Sequence, residues 1–508
     1  MDIDGIRNLR KLPGEKSIEL PLLAAEVPLA SGALLDRLRS SVNAELHGQE
    51  HQDREESRTA GKALRKKVPR RSHAEWVVSE DRSAAMELIR GQERGRVQEL
   101  LPIRHQRMAE SPFSFFRGAA VTMAADLATT PTTDIRVQAC GDAHLANFGI
   151  FASPERRLVF DINDFDETLP APWEWDIKRL ATSVEVCGRH LGLSAEERLH
   201  AVRDAASGYH EAINAFAKMG NLEVWYAHMD VEGIIQEHED YLGKAERTEF
   251  RRVTKRAASK NSSRAVAKLT EVVDGQLRIV SDPPLLVPFR ELDTIGVSQE
   301  DAGRFIGAIL GRYRMTLPRE RRELVDQYVT DDVARKVVGV GSVGMRNWIL
   351  VMEGADKDDP LVLQVKEATD SVLEPYAGRS TFREHGRRVV EGQRAIQTAG
   401  DILLGWVRAP TFDGSMHDFY VRQLWDAKGS VDLEKMDSHE LSRFSRLCGW
   451  TLAHAHAKTG NRFEIAGYLG KGDGFDEAIC EFAQSYADQN EIDYQAFLAS
   501  FPDAKDGR

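Results

Sequence analysis

Apolar residues recur at three- and four-residue steps from Ser72 to about Asp126, through EDRSAAMELIRGQERGRVQELLPIRHQRMAE, and this spacing predicts helices. The texture then changes. VQACGDAHLANFGIF and RRLVFDINDF are short apolar runs broken by Gly, Asp and Asn, which predicts a strand, a loop and a second strand joined through SPERR. Helical spacing returns over residues 173–330, with a basic stretch RRVTKRAASKNSSRAVAKL and an extended breaker SDPPLLVPF. From about Ala334 the period shifts again, through VVGVGSVGMRNWILVMEG, the polar turn ADKDDP, LVLQVKEA, FREHGRRVVEGQRAIQ and DFYVRQLWD. That order reads strand, glycine turn, strand, strand, helix, strand. From Ser438 onward the pattern is helical once more.

These patterns predict an α+β chain whose 508 residues exceed what one core organises. We expect a flexible appendage over 1–71, a mainly helical lobe over 72–333 carrying GDAHLANFG, a β-rich lobe over 334–430, and helices over 431–508 that complete the helical lobe. The run HQDREESRTAGKALRKKVPRR is charge-dense and almost without apolar periodicity, so Arg65, Lys66, Lys67, Arg70 and Arg71 read as solvated charge. No internal repeat or low-complexity segment stands out.

Composition narrows the classes. With 42% hydrophobic and 29% charged residues the chain is neither disordered nor fibrous. A net charge of −12 argues against wrapping nucleic acid as its main role. The N-terminal MDIDGIRNLRKLPGEK lacks the basic end and apolar stretch of a secretory signal, and no apolar run approaches about 18 residues. We therefore expect a cytoplasmic protein with no membrane partner. Cys140, Cys187, Cys448 and Cys480 are too scattered for a disulfide framework or a zinc site, and read as reduced, mostly buried thiols.

Candidate chemistry centres on GDAHLANFG, where Asp142, His144 and Asn147 sit between apolar strand-like runs, with Asp161, Asn163, Asp164 and Asp166 following. Carboxylates gathered at strand ends suit Mg²⁺, which prefers hard oxygen ligands and is held by one or two carboxylates together with substrate phosphates. An Asp five positions before an Asn, followed by an Asp on the next hairpin, supplies a proton acceptor and a metal-binding pair for phosphoryl transfer. Loop residues of these types also satisfy backbone donors without any catalytic role.

GDAHLANFG, VFDINDFDE and WEWDIKRLATS resemble a bacterial domain-of-unknown-function family, a resemblance that spans about Arg70 to Phe501 and includes SPFSFFRGAA, QVKEA, VVEGQR and FYVRQLWDAKGS. More distantly, the three motifs resemble the HGDxHxxN, IDFxD and DPxxDLA elements of aminoglycoside phosphotransferases and choline kinases. The second resemblance implies a two-lobed kinase-like fold. It places Asp142 as catalytic base, His144 as the motif histidine, Asn147 and Asp164 as metal ligands with Asp166 replacing or assisting, and Asp176 as the acid bracing the catalytic loop. Cys140 departs from the pattern, standing where those kinases have His, and so removes a bracing side chain. Asp161 reads as structural.

A second constellation follows downstream. Gly339, Gly341 and Gly344 form GxGxxG, with Ser342 inside it, and the strand-like MRNWILVMEG after them disfavours a dinucleotide-binding helix. LVLQVK places Lys366 at the end of a strand, as VAIK does in kinases, where the ammonium meets nucleotide phosphates and a helix glutamate. Glu391 is the favoured partner and Glu384 the other candidate. Backbone groups near Gln423 and Leu424 are candidates for a purine edge.

Kinases place the glycine loop before the catalytic loop, whereas Asp142 here precedes Lys366. We therefore expect a circularly permuted order, which compact lobes tolerate; LSRFSRLCGWTLAHAHAKTG resembles the helix that ordinarily enters the catalytic loop. His454 and His456, two apart on that helix, do not share a face and read as packing residues. Phe115, Phe116 and Arg117 read as core packing with an ion pair. The basic face of Arg251, Arg252, Lys255, Arg256, Lys260 and Arg264 reads by default as a solvated helix, with contact to an anionic substrate as the alternative. The functional expectation is ATP- and Mg²⁺-dependent transfer to a hydroxyl of a small molecule or protein. Its rivals are a nucleotide-binding module without catalysis and nucleotidyl (AMP) transfer at the same site.

Overall fold

The strand-forming stretch from Leu286 to Gln423 makes a six-stranded antiparallel sheet in the spatial order Gly405–Pro410, Met416–Gln423, Pro360–Ala368, Asn347–Glu353, Val329–Lys336, Leu286–Pro288. The computed structural model describes residues 53–230, 262–273, 276–337, 339–412, 414–424 and 431–501. Period-two alternation divides the faces of the sheet. Leu361, Leu363 and Val365 pack with Phe305, Ile309 and Tyr313 of the helix Gln299–Tyr313. Val362 belongs to the opposite face, with Ile349, Val351 and Leu269. Lys366 lies an even number of residues from Val362 and so shares its face. Its cross-strand partner is Tyr420, and Gln364 pairs with Arg422.

The helical part surrounds the helix Trp173–His190, buried from Trp173 to Gly188. Two long helices, Ala195–Phe216 and Ser438–Thr459, pack beside it. Each begins with a capping box, Ser194 with Glu197 and Asp437 with Glu440, which satisfies the first free N–H groups. Arg136–Ala139 pairs with Leu169–Pro172, and Phe148–Ala152 pairs with Leu158–Ile162 across the SPERR turn. The segments after the first and third of these strands are tied together. Asn163 N–H donates to Asn147 O at 2.8 Å, and the Thr168 hydroxyl donates to Ala139 O at 2.7 Å.

The mixed α and β class follows the sequence patterns, but several boundaries move. Residues 53–71 are not a solvated linker. Asp53 caps the helix Arg54–Leu64, whose Gly61 lies so close to the helix Arg462–Leu469 that a Cβ there would come 2.0 Å from Glu464 O. Arg65 donates to Tyr468 O at 2.7 Å and Gly467 O at 2.5 Å, and Arg70 to Leu469 O at 2.6 Å. These side chains cap a helix C-terminus, a use of basic residues that hydropathy does not display.

The stretch 286–325 belongs to the sheet's core rather than to the helical part, because Phe305, Ile306, Ile309 and Tyr313 present one apolar stripe to the strands. The strand Gly405–Pro410 has no counterpart among the predicted elements. Arg251 to Lys260 lie outside the described residues, as do residues 1–52. Among the described residues no helix is long and apolar enough to cross a membrane.

Candidate functional site

The loop after Arg136–Ala139 is fixed by acceptors from the helix Trp173–His190. Asp176 accepts the Cys140 N–H at 2.7 Å and the Gly141 N–H at 2.9 Å, and the Ser183 hydroxyl accepts the Leu145 N–H at 3.0 Å. His144 N–H donates to Asp142 O and Asn147 N–H to His144 O, both at 2.8 Å. Gly141 has φ of +82°, and a Cβ would come 2.4 Å from Glu167 O, so glycine is required on two counts.

Within this frame Asp142 receives the Arg179 Nε–H at 2.5 Å, and Arg179 is itself held by Phe116 O at 3.0 Å and stacked over the Phe116 ring. The Asn147 amide nitrogen donates to Asp142 O at 2.7 Å, which orients its side chain. His144 lies with Nε2 3.7 Å from Asp142 Oδ2; burial lowers its pKa to about 4, so it is a neutral imidazole near pH 7.

Cys140 is a buried thiol whose pKa burial pushes well upward, so it packs rather than reacts. Bracing of Asp176 comes instead from His456, whose Nε2 is 3.2 Å from Asp176 Oδ2 and whose Nδ1 meets the Tyr209 hydroxyl at 2.9 Å. His456 is therefore part of the loop's support, while His454 contacts Val224 O at 2.8 Å.

The sheet brings the second half. Lys366 is 2% exposed, forms an ion pair with Asp166, and lies 3.5 Å from Asp164 Oδ2. Burial alone would lower the lysine's pKa; the two carboxylates outweigh it and hold the ammonium charged. Asp166 also accepts from the Tyr420 hydroxyl at 2.8 Å and from the Ser342 hydroxyl at 3.5 Å. Three elements distant in sequence thus converge on Asp166, and Lys366 also reaches Asp164.

The glycine loop is clamped through its carbonyls. Arg107 donates to Gly339 O; Arg104 donates to Val340 O at 3.3 Å and Gly341 O at 3.2 Å. Arg96 donates to Gly341 O at 2.8 Å and Val343 O at 2.6 Å, and Val97 N–H donates to Gly344 O at 2.7 Å. In a trans peptide the N–H points opposite to the C=O. The N–H groups of Val340, Gly341 and Ser342 have no acceptor among the described residues, and these residues line the cavity that also holds Asp142 and Asp164. Unpaired N–H groups in a turn form an anion-binding concavity.

Two cavities meet here, both lined by Asp164, Gly339 and Ser342. The smaller holds Asp142, His144, Asn147 and Arg117. The larger holds Lys366, Gln393, Gln397, Ile402, Gln423 and Leu424.

Two expectations do not hold as stated. Glu391 does not meet Lys366. It faces away, 3.9 Å from Arg387 and 3.8 Å from Arg394, because the face of the helix His385–Ile396 turned to the cleft carries Arg388 and Gln393. The lysine's partners are the two aspartates instead. The N–H groups of Gln423 and Leu424 are taken by Asp401 Oδ2 at 2.5 Å and Val362 O at 2.8 Å, so a purine edge would not find them free.

Sequence reading passed over Arg96, Arg104, Arg107, Arg179, Arg388 and Tyr420. Tyr420 was within reach, since FYVRQ alternates like QVK and a matched register puts residues 420 and 366 side by side. The arginines carry no such signal, because their targets are backbone carbonyls.

A family model for a bacterial family described as "Uncharacterized protein conserved in bacteria" (DUF2252) matches residues 96–500. No curated protein and no solved structure matches the chain.

Proposed function

We infer that this chain, which belongs to that bacterial family, is an ATP- and Mg²⁺-dependent kinase-like phosphotransferase acting on a hydroxyl. The observation that carries the reading is the meeting of Lys366 with Asp164 and Asp166 across 200 residues of sequence, beside a glycine loop whose Val340, Gly341 and Ser342 N–H groups have no acceptor among the described residues. Phosphoryl transfer needs little covalent help from a protein. It needs positioning, charge neutralisation and a proton acceptor. The order strand, glycine turn, strand, lysine strand, helix, strand supports a kinase-like nucleotide lobe, here with the added strand Gly405–Pro410 and placed after the catalytic loop.

The donor set fits Mg²⁺. Asp164, Asp166 and the amide oxygen of Asn147 are hard oxygen ligands on neighbouring segments, and all three residues line the same cavity. When bound, the ion supplies charge neutralisation for the nucleotide phosphates. Lys366 and the N–H groups of Val340 to Ser342 bind phosphate oxygens. Asp142, oriented by Arg179, accepts the proton of the attacking hydroxyl. Neutral His144 keeps the end of the cleft uncharged beside Asp142.

The test is ATP turnover and ATP binding by the purified full-length chain and by Asp164→Ala. Wild type should turn over ATP with Mg²⁺, and the variant should lose it by about 10²–10³-fold or more. Turnover unaffected by the substitution would sink the metal assignment. Binding without turnover by wild type would make the chain a nucleotide-binding module, and a product carrying a nucleotide would make it a nucleotidyl transferase.

A further inference from the structure

The cations around the smaller cavity are not equivalent. Arg179 is committed to Asp142, and Arg96 to the glycine-loop carbonyls. The acids there have partners too: Glu367 meets Arg346 at 3.1 Å and His417 at 2.5 Å, and Glu167 accepts the Val372 N–H at 2.7 Å. Arg117 is the exception. It projects from the helix Pro112–Gly118 into the cavity that holds Asp142 and His144, and its Nε is shut off from solvent with no hydrogen-bond partner.

Among the described residues no carboxylate lies within ion-pair distance of it, and its guanidinium lies over the face of the Phe113 ring, at 5.9 Å. The expectation that Arg117 would make a structural ion pair therefore fails. Arg117 as a whole is half-buried, so its fork of five N–H donors keeps some access to the cavity, while the desolvated Nε–H goes unpaired. Burial lowers its pKa, yet an arginine stays charged at any pH the protein meets.

From this we propose that Arg117 forms an oxyanion subsite for the acceptor, so that the hydroxyl presented to Asp142 belongs to an alcohol that also carries a carboxylate or phosphate group. Arg117 borders the cavity of Asp142, the proposed proton acceptor, which the glycine loop also lines, and not the larger one, where Lys366, Gln393 and Gln423 lie. The nucleotide's phosphates already have Lys366 and the glycine-loop N–H groups. A planar fork suits bidentate recognition of carboxylate or phosphate, whereas an acceptor with an ammonium beside its hydroxyl would meet like charge. The assignment rests on the phosphotransferase reading for the word acceptor, but the anion preference is measurable without it.

The experiment uses three alcohols of similar size that differ in charge: glycolate, ethylene glycol and ethanolamine. Each is titrated into the full-length protein, free and saturated with Mg²⁺ and a non-hydrolysable ATP analogue, with binding followed by protein-observed NMR. Wild type should bind glycolate at least about tenfold more tightly than ethanolamine, a difference of about 1.4 kcal/mol. Arg117→Gln should abolish that preference while keeping the analogue's affinity within about twofold, and Arg117→Lys should recover part of it. No preference in wild type, or a preference that survives Arg117→Gln, overturns the subsite. Loss of analogue affinity in Arg117→Gln without any glycolate preference in wild type assigns the arginine to the nucleotide's terminal phosphate and overturns it equally. If the analogue does not bind but the free protein prefers glycolate through Arg117, the subsite stands and the nucleotide reading falls.

Discussion

The loop Gly141 to Asn147 and the loop Gly339 to Gly344 are held in opposite ways. In the first, acceptors take the backbone N–H groups: Asp176 binds those of Cys140 and Gly141, and Ser183 binds that of Leu145. In the second, donors take the backbone C=O groups, chiefly Arg96, Arg104 and Arg107. Each anchor decides what the loop has left to offer. A loop whose N–H groups are occupied presents carboxylates and an amide oxygen, which suit a cation and a proton. A loop whose carbonyls are occupied presents N–H groups, which suit an anion. Residues of both loops line the same cavity, and under the proposed function their complementary polarity suits a metal–phosphate substrate.

Breaking the acid anchor should have the largest effect. Asp176→Asn keeps the shape, but its amide offers one acceptor where two N–H groups converge, and its NH₂ opposes the other. Chemical denaturation should show a loss of about 2–3 kcal/mol, as for hydrogen bonds to a charged group, and an unchanged midpoint would mean that Asp176 does not hold the loop. Breaking the arginine anchor should act on binding more than on folding. Arg104→Met frees the Val340 carbonyl and leaves that of Gly341 to Arg96 alone, and calorimetry should show ATP affinity reduced about tenfold, or about 1.4 kcal/mol; equal affinity would show that the clamp does not preorganise the loop.

Gly344→Ala sharpens the comparison further. The residue has φ of +86°, and a Cβ would come 3.0 Å from Arg96 Cβ. A cost of about 1–2 kcal/mol is expected from the left-handed conformation, read as a lower denaturation midpoint, with stability no worse than wild type as the contrary result.

The smallest effect lies in the helical body, away from either loop. Burial would lower the His210 pKa, but its hydrogen bond with Asp476 at 3.0 Å outweighs this and raises it. Its stabilisation is then fully present below about pH 6.5 and lost as pH rises through the higher folded-state pKa. The stability difference between wild type and His210→Gln should therefore be larger at acidic than at alkaline pH; a difference independent of pH would remove the pair from the account.

How much of this was legible in the sequence follows from the kind of contact involved. Strand alternation and the flanks of GxGxxG foretold a strand, a glycine turn, a second strand and a lysine at the end of a third, since those depend on local spacing. GDAHLANFG and the acids after it drew attention for the same reason. What could not be read were contacts in which a side chain meets a distant backbone. Arg104 on the Gly341 carbonyl and Arg65 on Tyr468 O leave no periodic trace. Nor did Cys140 disclose that His456, on a helix three hundred residues later, would brace Asp176. The Glu391 expectation failed on helix rotation, which a sequence fixes only when one stripe is clearly apolar, and here Gly392 and Gln393 turn inward instead.

The central claim is that Lys366, Asp164 and Asp166 share one phosphate site. The most direct measurement is calorimetric titration of ATP, with and without Mg²⁺, into wild type and Lys366→Met, both checked for folding by thermal melting. Wild type should bind ATP saturably and in a Mg²⁺-dependent way, and the variant at least about tenfold more weakly. Absence of ATP binding by wild type, or equal binding by both proteins, would contradict the claim.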